Sequence, residues 1–141
     1  MDAVIDDRLL IEELLVGLDR RGMRLHTTTY WYFRACRASV ASAGGHLSGP
    51  FQGLSVDEQQ RAIASMLQLP ETIGLPDPRH IVPLMVAVAG RHPRLNLLNL
   101  EAAATAHILQ ATIWLSPESA SGVLPAVLES EGLDWMTVTP T

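Results

Sequence analysis

Lysine is absent: all ten basic residues of the 141-residue chain are arginines. Cysteine is nearly so. A lone Cys36 excludes an internal disulfide and a cysteine-ligated zinc site. Charge is sparse, at 18% of residues, and acids outnumber bases by 15 to 10, giving a formal net charge of -5. A generic duplex-DNA binder carries the opposite sign, so no duplex DNA partner is expected. No apolar run approaches the roughly 18 residues that span a bilayer, so no membrane partner is expected either. The acidic start Met1-Asp2-Ala3-Val4-Ile5-Asp6-Asp7 lacks the basic, then apolar, pattern of a secretory signal, and with one cysteine it points to the cytoplasm. There is no Gly-rich phosphate loop and no Gly-x-Ser-x-Gly elbow. The five histidines, at 26, 46, 80, 92 and 107, share no His-x-x-x-His spacing.

Apolar residues are plentiful, at 48%, enough to build the core of one domain over residues 1–141. Ala3-Val4-Ile5 reads as a short buried strand. Leu9, Leu10, Ile11, Leu14, Leu15 and Leu18 share one helical face, and Gly22 is the expected stop. Arg24–Thr29 can form a second strand. A helix is expected from Tyr30 to Ala43, closed by Gly44-Gly45, and Leu47–Gly53 reads as a loop. Ser55 and Glu58 form a capping box that opens a helix to about Leu69, with Ile63, Met66 and Leu67 inward. Ile81–Ala89 is a further helix, with Pro83 tolerable only in its first turn. Asn96 or Asn99 caps an alanine-rich helix to Gln110, and Thr112–Leu115 is a strand. Ser116-Pro117 opens a helix to about Glu131, and Asp134–Val138 is the last strand. Strands at both ends with helices between predict an α/β fold, a small parallel sheet flanked by helices. Ligands in such sheets gather at the carboxyl ends of the strands, near Asp6, Asp7 and the Ser116-Pro117-Glu118 turn.

Three segments resemble the PIN-like domain family. Val4–Ile11 looks like its first strand, terminal Asp and following helix; Leu97–Ala106 looks like its late helix bearing an acidic residue; Ala111–Glu118 looks like its fourth strand and exit loop. Gly132–Val138 is similar to its last strand. The resemblance implies a single PIN-like domain, a three-layer sandwich, that holds Mg²⁺ or Mn²⁺ with carboxylates and hydrolyses single-stranded RNA. Hard cations take oxygen ligands and activate water for that chemistry. It implies Asp6 and Glu101 as catalytic residues and Asp6, Asp7, Glu101 and Glu118 as metal ligands. The chain departs from the pattern at the second acidic position, near Tyr32–Arg34, because no carboxylate lies between Asp19 and Asp57. Ser116 stands at the fourth, with Glu118 two residues on. The acidic site therefore reads as degraded, and the expected function is a non-catalytic or weakly active partner-binding module. A Mg²⁺-dependent ribonuclease is the alternative.

Asp6, Asp7, Glu101 and Glu118 have a second explanation. Each lies at a helix start, where the macrodipole favours a carboxylate by about 0.3–1 kcal/mol. Tyr30-Trp31-Tyr32-Phe33 gathers four of the seven aromatics. At about 100° per residue they span roughly 300° of a helix, so at least one should face outward. With Arg34 and Arg37 beside them, Tyr30 and Trp31 are the expected contacts to RNA, a protein partner or a second copy.

Overall fold

The structure is a computed structural model that describes residues 1–41 and 45–140. Four strands, β1 (Asp2–Ile5), β2 (Arg24–His26), β3 (Thr112–Leu115) and β4 (Trp135–Thr137), form one sheet. All are parallel, in the order β2-β1-β3-β4. Val4 lies opposite Ile113 and Ile5 opposite Trp114, so the two apolar runs are neighbours as expected. Among the described residues, seven α-helices flank the sheet: α1 (Asp7–Leu15), α2 (Thr29–Ala41), α3 (Val56–Leu67), α4 (Pro78–Arg91), α5 (Leu97–Leu109), α6 (Pro117–Ala120) and α7 (Leu124–Ser130). Residues Gly45–Phe51 form a 3₁₀ segment where a loop was expected. The α/β arrangement read from the sequence is the one observed. No helix of the described residues is long and apolar enough to cross a membrane.

Alternation along β1 divides the core in two. Ala3 and Ile5 face α1, α2 and α3, where Leu9, Leu10, Ala35, Ala38, Ala62 and Met66 are buried. Val4 faces the other side, with Ile113, Leu115 and the residues of α4, α5 and α7. Each fully buried Val, Leu or Ile contributes about 1.5–3 kcal/mol. On α5, Ala102, Ala103, Ala104 and Ala106 are all wholly buried. Their small side chains let this helix lie close to both the sheet and α4.

Caps fix most boundaries. Ser55 and Glu58 form the expected capping box on α3. Asn96, rather than Asn99, caps α5 by accepting the Asn99 N–H at 3.0 Å. Other expectations need correction. The helix after β1 stops at Leu15 because Gly17 adopts φ +106 and its N–H returns to the Glu12 carbonyl; Gly22 shapes a later turn. Asp77 caps α4 three residues earlier than expected, so Pro83 lies inside the helix, on its exposed side. Leu67 faces outward, and Ala62 joins Met66 inside instead. The expected helix from Pro117 to Glu131 is two, α6 and α7, separated at Ser121–Val123. The expected end of the second helix at Ala43-Gly44 lies outside the described residues.

One residue lengthens the sheet. Gly74 pairs with β2 on its free edge: its N–H donates to the Leu25 carbonyl and its carbonyl accepts the Thr27 N–H, both at 3.0 Å. The His26 ring, held by Asp2 Oδ1 at 2.7 Å, lies against Gly74 so closely that a Cβ there would overlap ring atom Nδ1. Gly74→Ala should therefore cost about 1–3 kcal/mol, by displacing either the ring or the bridge. Gly90→Ala, at a helical position where a methyl meets open space, should instead stabilise by about 0.5–1 kcal/mol. Urea denaturation of the two variants checks this, and equal midpoints would show that the ring swings aside freely.

Candidate functional site

The connections leave β1 and β3 in opposite directions, and the crevice at their carboxyl ends is where ligands bind in sheets of this kind. Asp6 and Ser116 immediately follow these strands. Asp6 is wholly buried. Its Oδ1 accepts the Leu9 N–H at 2.9 Å, capping α1. Its Oδ2 accepts the Ser116 N–H at 2.8 Å and the Ser116 hydroxyl at 2.6 Å. One carboxylate thus closes a helix and ties together the ends of the two central strands.

Glu101 does comparable work for a different helix. The Thr27-Thr28-Thr29 entry to α2 carries no acid of its own. Glu101, reaching from α5, accepts the Thr29 and Tyr30 N–H groups, one on each oxygen, both at 2.9 Å. Thr28 Oγ1 accepts the next one, from Trp31, at 3.1 Å. The positive end of the α2 dipole compensates the buried negative charge. Helix-dipole chemistry therefore explains both Asp6 and Glu101, although Glu101 serves a helix more than 70 residues away in sequence.

A cleft of about 190 Å³ opens beside them, lined among others by Asp7, Trp31, Arg34, Asn99 and Glu118. The structure thus brings together four of the residues expected at a site: Asp7, Trp31, Arg34 and Glu118. Asp6 and Glu101 do not line it, and Tyr30 and Arg37 lie outside it on the exposed side of α2. Asp7 is buried, and Arg34 Nε lies 3.1 Å from its Oδ2. Glu118 is exposed at the rim. Among the described residues, no three His, Cys, Asp or Glu side chains are grouped so as to hold a metal ion. The oxygens of Asp6 and Glu101 already accept protein donors. The donor set at the strand ends does not fit Mg²⁺ or Mn²⁺.

The aromatic run divides by helical phase. Trp31, expected as a contact residue, is 1% exposed and packs between α5 and the sheet. Apart from the edge that reaches the cleft, it is enclosed in the core, so it is no contact on the outer face of α2. The Tyr32 hydroxyl donates to the Met66 carbonyl at 2.8 Å, and Cys36 Sγ shares that acceptor at 3.5 Å. Burial pushes the pKa of both the Tyr32 phenol and the Cys36 thiol up, which favours the protonated thiol at Cys36. Tyr30 is 40% exposed and Phe33 58%, and with Arg34, Arg37 and Val40 they form the outer stripe of α2.

Two features have no counterpart in the sequence reading. Asn99 lines the cleft. A second polar cluster joins the ends of α4, α5 and α7. There Glu131 accepts two hydrogen bonds from Arg91, at 2.8 and 2.6 Å, one contact each with His92 at 3.0 Å and His107 at 2.9 Å. Arg91 and His92 are adjacent in the sequence, but nothing local links them to His107 or Glu131. Together, fold and site define an α/β protein with a parallel sheet, whose acidic residues at the strand ends bind the first turns of its own helices. No protein-family model matches the chain, and no curated protein matches it.

Proposed function

We propose that the chain is a PIN-like protein with a degraded acidic site, acting as a non-catalytic or weakly active module that binds a protein partner, a second copy of itself included. The observation that carries this reading is the engagement of Asp6 and Glu101. Their four oxygens accept five protein hydrogen bonds, so the protein's own amides and the Ser116 hydroxyl supply the compensation that an ion would otherwise supply. The binding face assigned here is the outer stripe of α2. Tyr30, Phe33 and Val40 expose apolar surface beside Arg34 and Arg37, a composition enriched at interfaces. A Mg²⁺-dependent ribonuclease acting on single-stranded RNA is the second reading, favoured by Asp7, Arg34 and Glu118 meeting in one cleft.

Metal titration and sedimentation test the first reading together. Calorimetry should show no saturable heat with millimolar Mg²⁺ or Mn²⁺, and single-stranded RNA should stay intact. Sedimentation velocity should show mass action with a second copy, weakened about tenfold by Phe33→Ser, since an exposed aromatic at an interface is worth roughly 1–2 kcal/mol. Trp31→Ala is unsuitable as a contact probe, because truncating a buried Trp costs about 3–5 kcal/mol of stability. Mg²⁺-dependent RNA cleavage by a clean monomer would replace the partner reading with the nuclease one.

A further inference from the structure

A helix that is apolar on every side is normally enclosed on every side. Helix α4 departs from that rule. From Ile81 to Gly90 it carries ten residues in a row without one charged or polar side chain. Ile81 and Val88 are buried, and Met85 and Ala89 pack on the core beside Val88. The opposite half is bare. Val82 is 51% exposed and Val86 68%, and Pro83, Ala87 and Gly90 are exposed with them. Single exposed apolar residues need no explanation. Successive turns of one helix face form a contiguous patch, and water cannot satisfy such a patch as it satisfies a polar group. On α2, by contrast, Arg34 and Arg37 interrupt the outer stripe.

The relief and the charges of this face fit a second copy of itself. Val82 and Val86 stand four residues apart as a ridge. Ala87 and Gly90 leave low ground beside it, and a Cβ at Gly90 would meet nothing within 4 Å. Two such helices interlock ridge into groove, and a two-fold axis makes each contact twice. Charges stand only at the ends. Asp77 and Arg79 mark the start. Arg91, at the end, is bound to Glu131, and the exposed Arg94 beyond it pairs with no acid among the described residues. In a parallel crossing like would meet like, Asp77 on Asp77 and Arg94 on Arg94. In an antiparallel crossing the Asp77 end of each copy meets the Arg94 end of the other. A helix of 14 residues is about 21 Å long, so two such faces bury roughly 1,000 Å² in all, the size of a reversible contact.

We propose that the outer face of α4 is a self-association surface, on which a second copy docks antiparallel through Val82, Val86, Ala87 and Gly90. It is separate from the outer stripe of α2, and it does not rest on the binding face assigned there.

Sedimentation equilibrium of the intact protein from about 10 μM to 1 mM is the test, because reversible contacts of this size fall in that range. The wild type should show a monomer–dimer equilibrium. Val86→Glu, at an exposed helical position, sets two charges into the apolar contact and should weaken the dimer at least about tenfold, while the far-ultraviolet circular dichroism stays unchanged. Arg94→Gln should weaken it about threefold by removing two exposed ion pairs; in a parallel crossing it would relieve repulsion and tighten the dimer. A monomer throughout the range, a dimer indifferent to Val86→Glu, or a tighter dimer with Arg94→Gln overturns the proposal. So does a monomer that floats with phosphatidylglycerol vesicles unless Val86 is changed to Glu, which would give the face to a membrane. A dimer sensitive to Val86→Glu and indifferent to Phe33→Ser supports the α4 surface and removes self-association from α2. One sensitive to Phe33→Ser alone does the reverse.

Discussion

Asp6→Ala should lower stability by about 3–5 kcal/mol, equally with and without Mg²⁺. The substitution removes the acceptor for three donors at once. The Leu9 N–H loses its cap, worth about 1 kcal/mol, and the Ser116 N–H and hydroxyl are stranded in a wholly buried position. Each stranded donor costs about 1–3 kcal/mol. Asp6→Asn should cost less: its carbonyl oxygen still caps α1, but its amide then faces the Ser116 N–H donor to donor. The opposite sign is expected of a carboxylate held for a cation. Like-charged neighbours repel it in the empty site, and its removal there is neutral or stabilising. Urea denaturation of both variants, with Mg²⁺ present and absent, separates the two roles. A change below about 1 kcal/mol for Asp6→Ala, or a wild-type midpoint that rises with Mg²⁺, would return Asp6 to the metal site.

The acid limb of the stability curve should depend on Glu131. Its carboxyl is held at about 2, below the usual 4.5, first by the Arg91 hydrogen bonds and then by those of His107 and His92, against the opposing effect of burial. Because the folded-state value is depressed, the stabilisation is complete above pH 4.5 and is lost as pH falls toward 2. A depression of that size corresponds to about 3 kcal/mol, reduced to about 2 kcal/mol because Arg91 is half exposed and water screens it. Glu131→Gln should therefore destabilise the protein at pH 6 by about 2 kcal/mol, and the difference from wild type should shrink between pH 4.5 and 2. The change should be felt as loosening of α4 and α5 from α7, since Arg91 ends α4, His107 lies in the last turn of α5 and Glu131 follows α7. Hydrogen exchange in these helices provides a local readout. A wild-type and variant difference that is constant with pH would place the acid sensitivity in other carboxylates.

Much of this protein is decided locally and is therefore legible in order along the chain. Val4-Ile5 and Ile113-Trp114-Leu115 are short apolar runs, each followed by a helix cap, and such runs have few places to go except adjacent positions in a buried parallel sheet. The Ser55–Glu58 box and the Asn96 cap act within three residues, so side-chain type and spacing determine them. Phase along a helix was harder. Trp31 and Tyr30 are adjacent in sequence, yet one enters the core and the other faces out, because the direction of α5 relative to α2 sets which side is covered. The site was decided by tertiary structure. Asp6 meets Ser116 across 110 residues, and Glu101 meets Thr29 across 72. Residue type identified these carboxylates as groups that need donors, but a metal ion and a helix N-terminus satisfy that need equally well. The choice fell to packing: when α5 settles on the sheet through its alanines, Glu101 comes beside the uncapped start of α2, and the amides there take both of its oxygens.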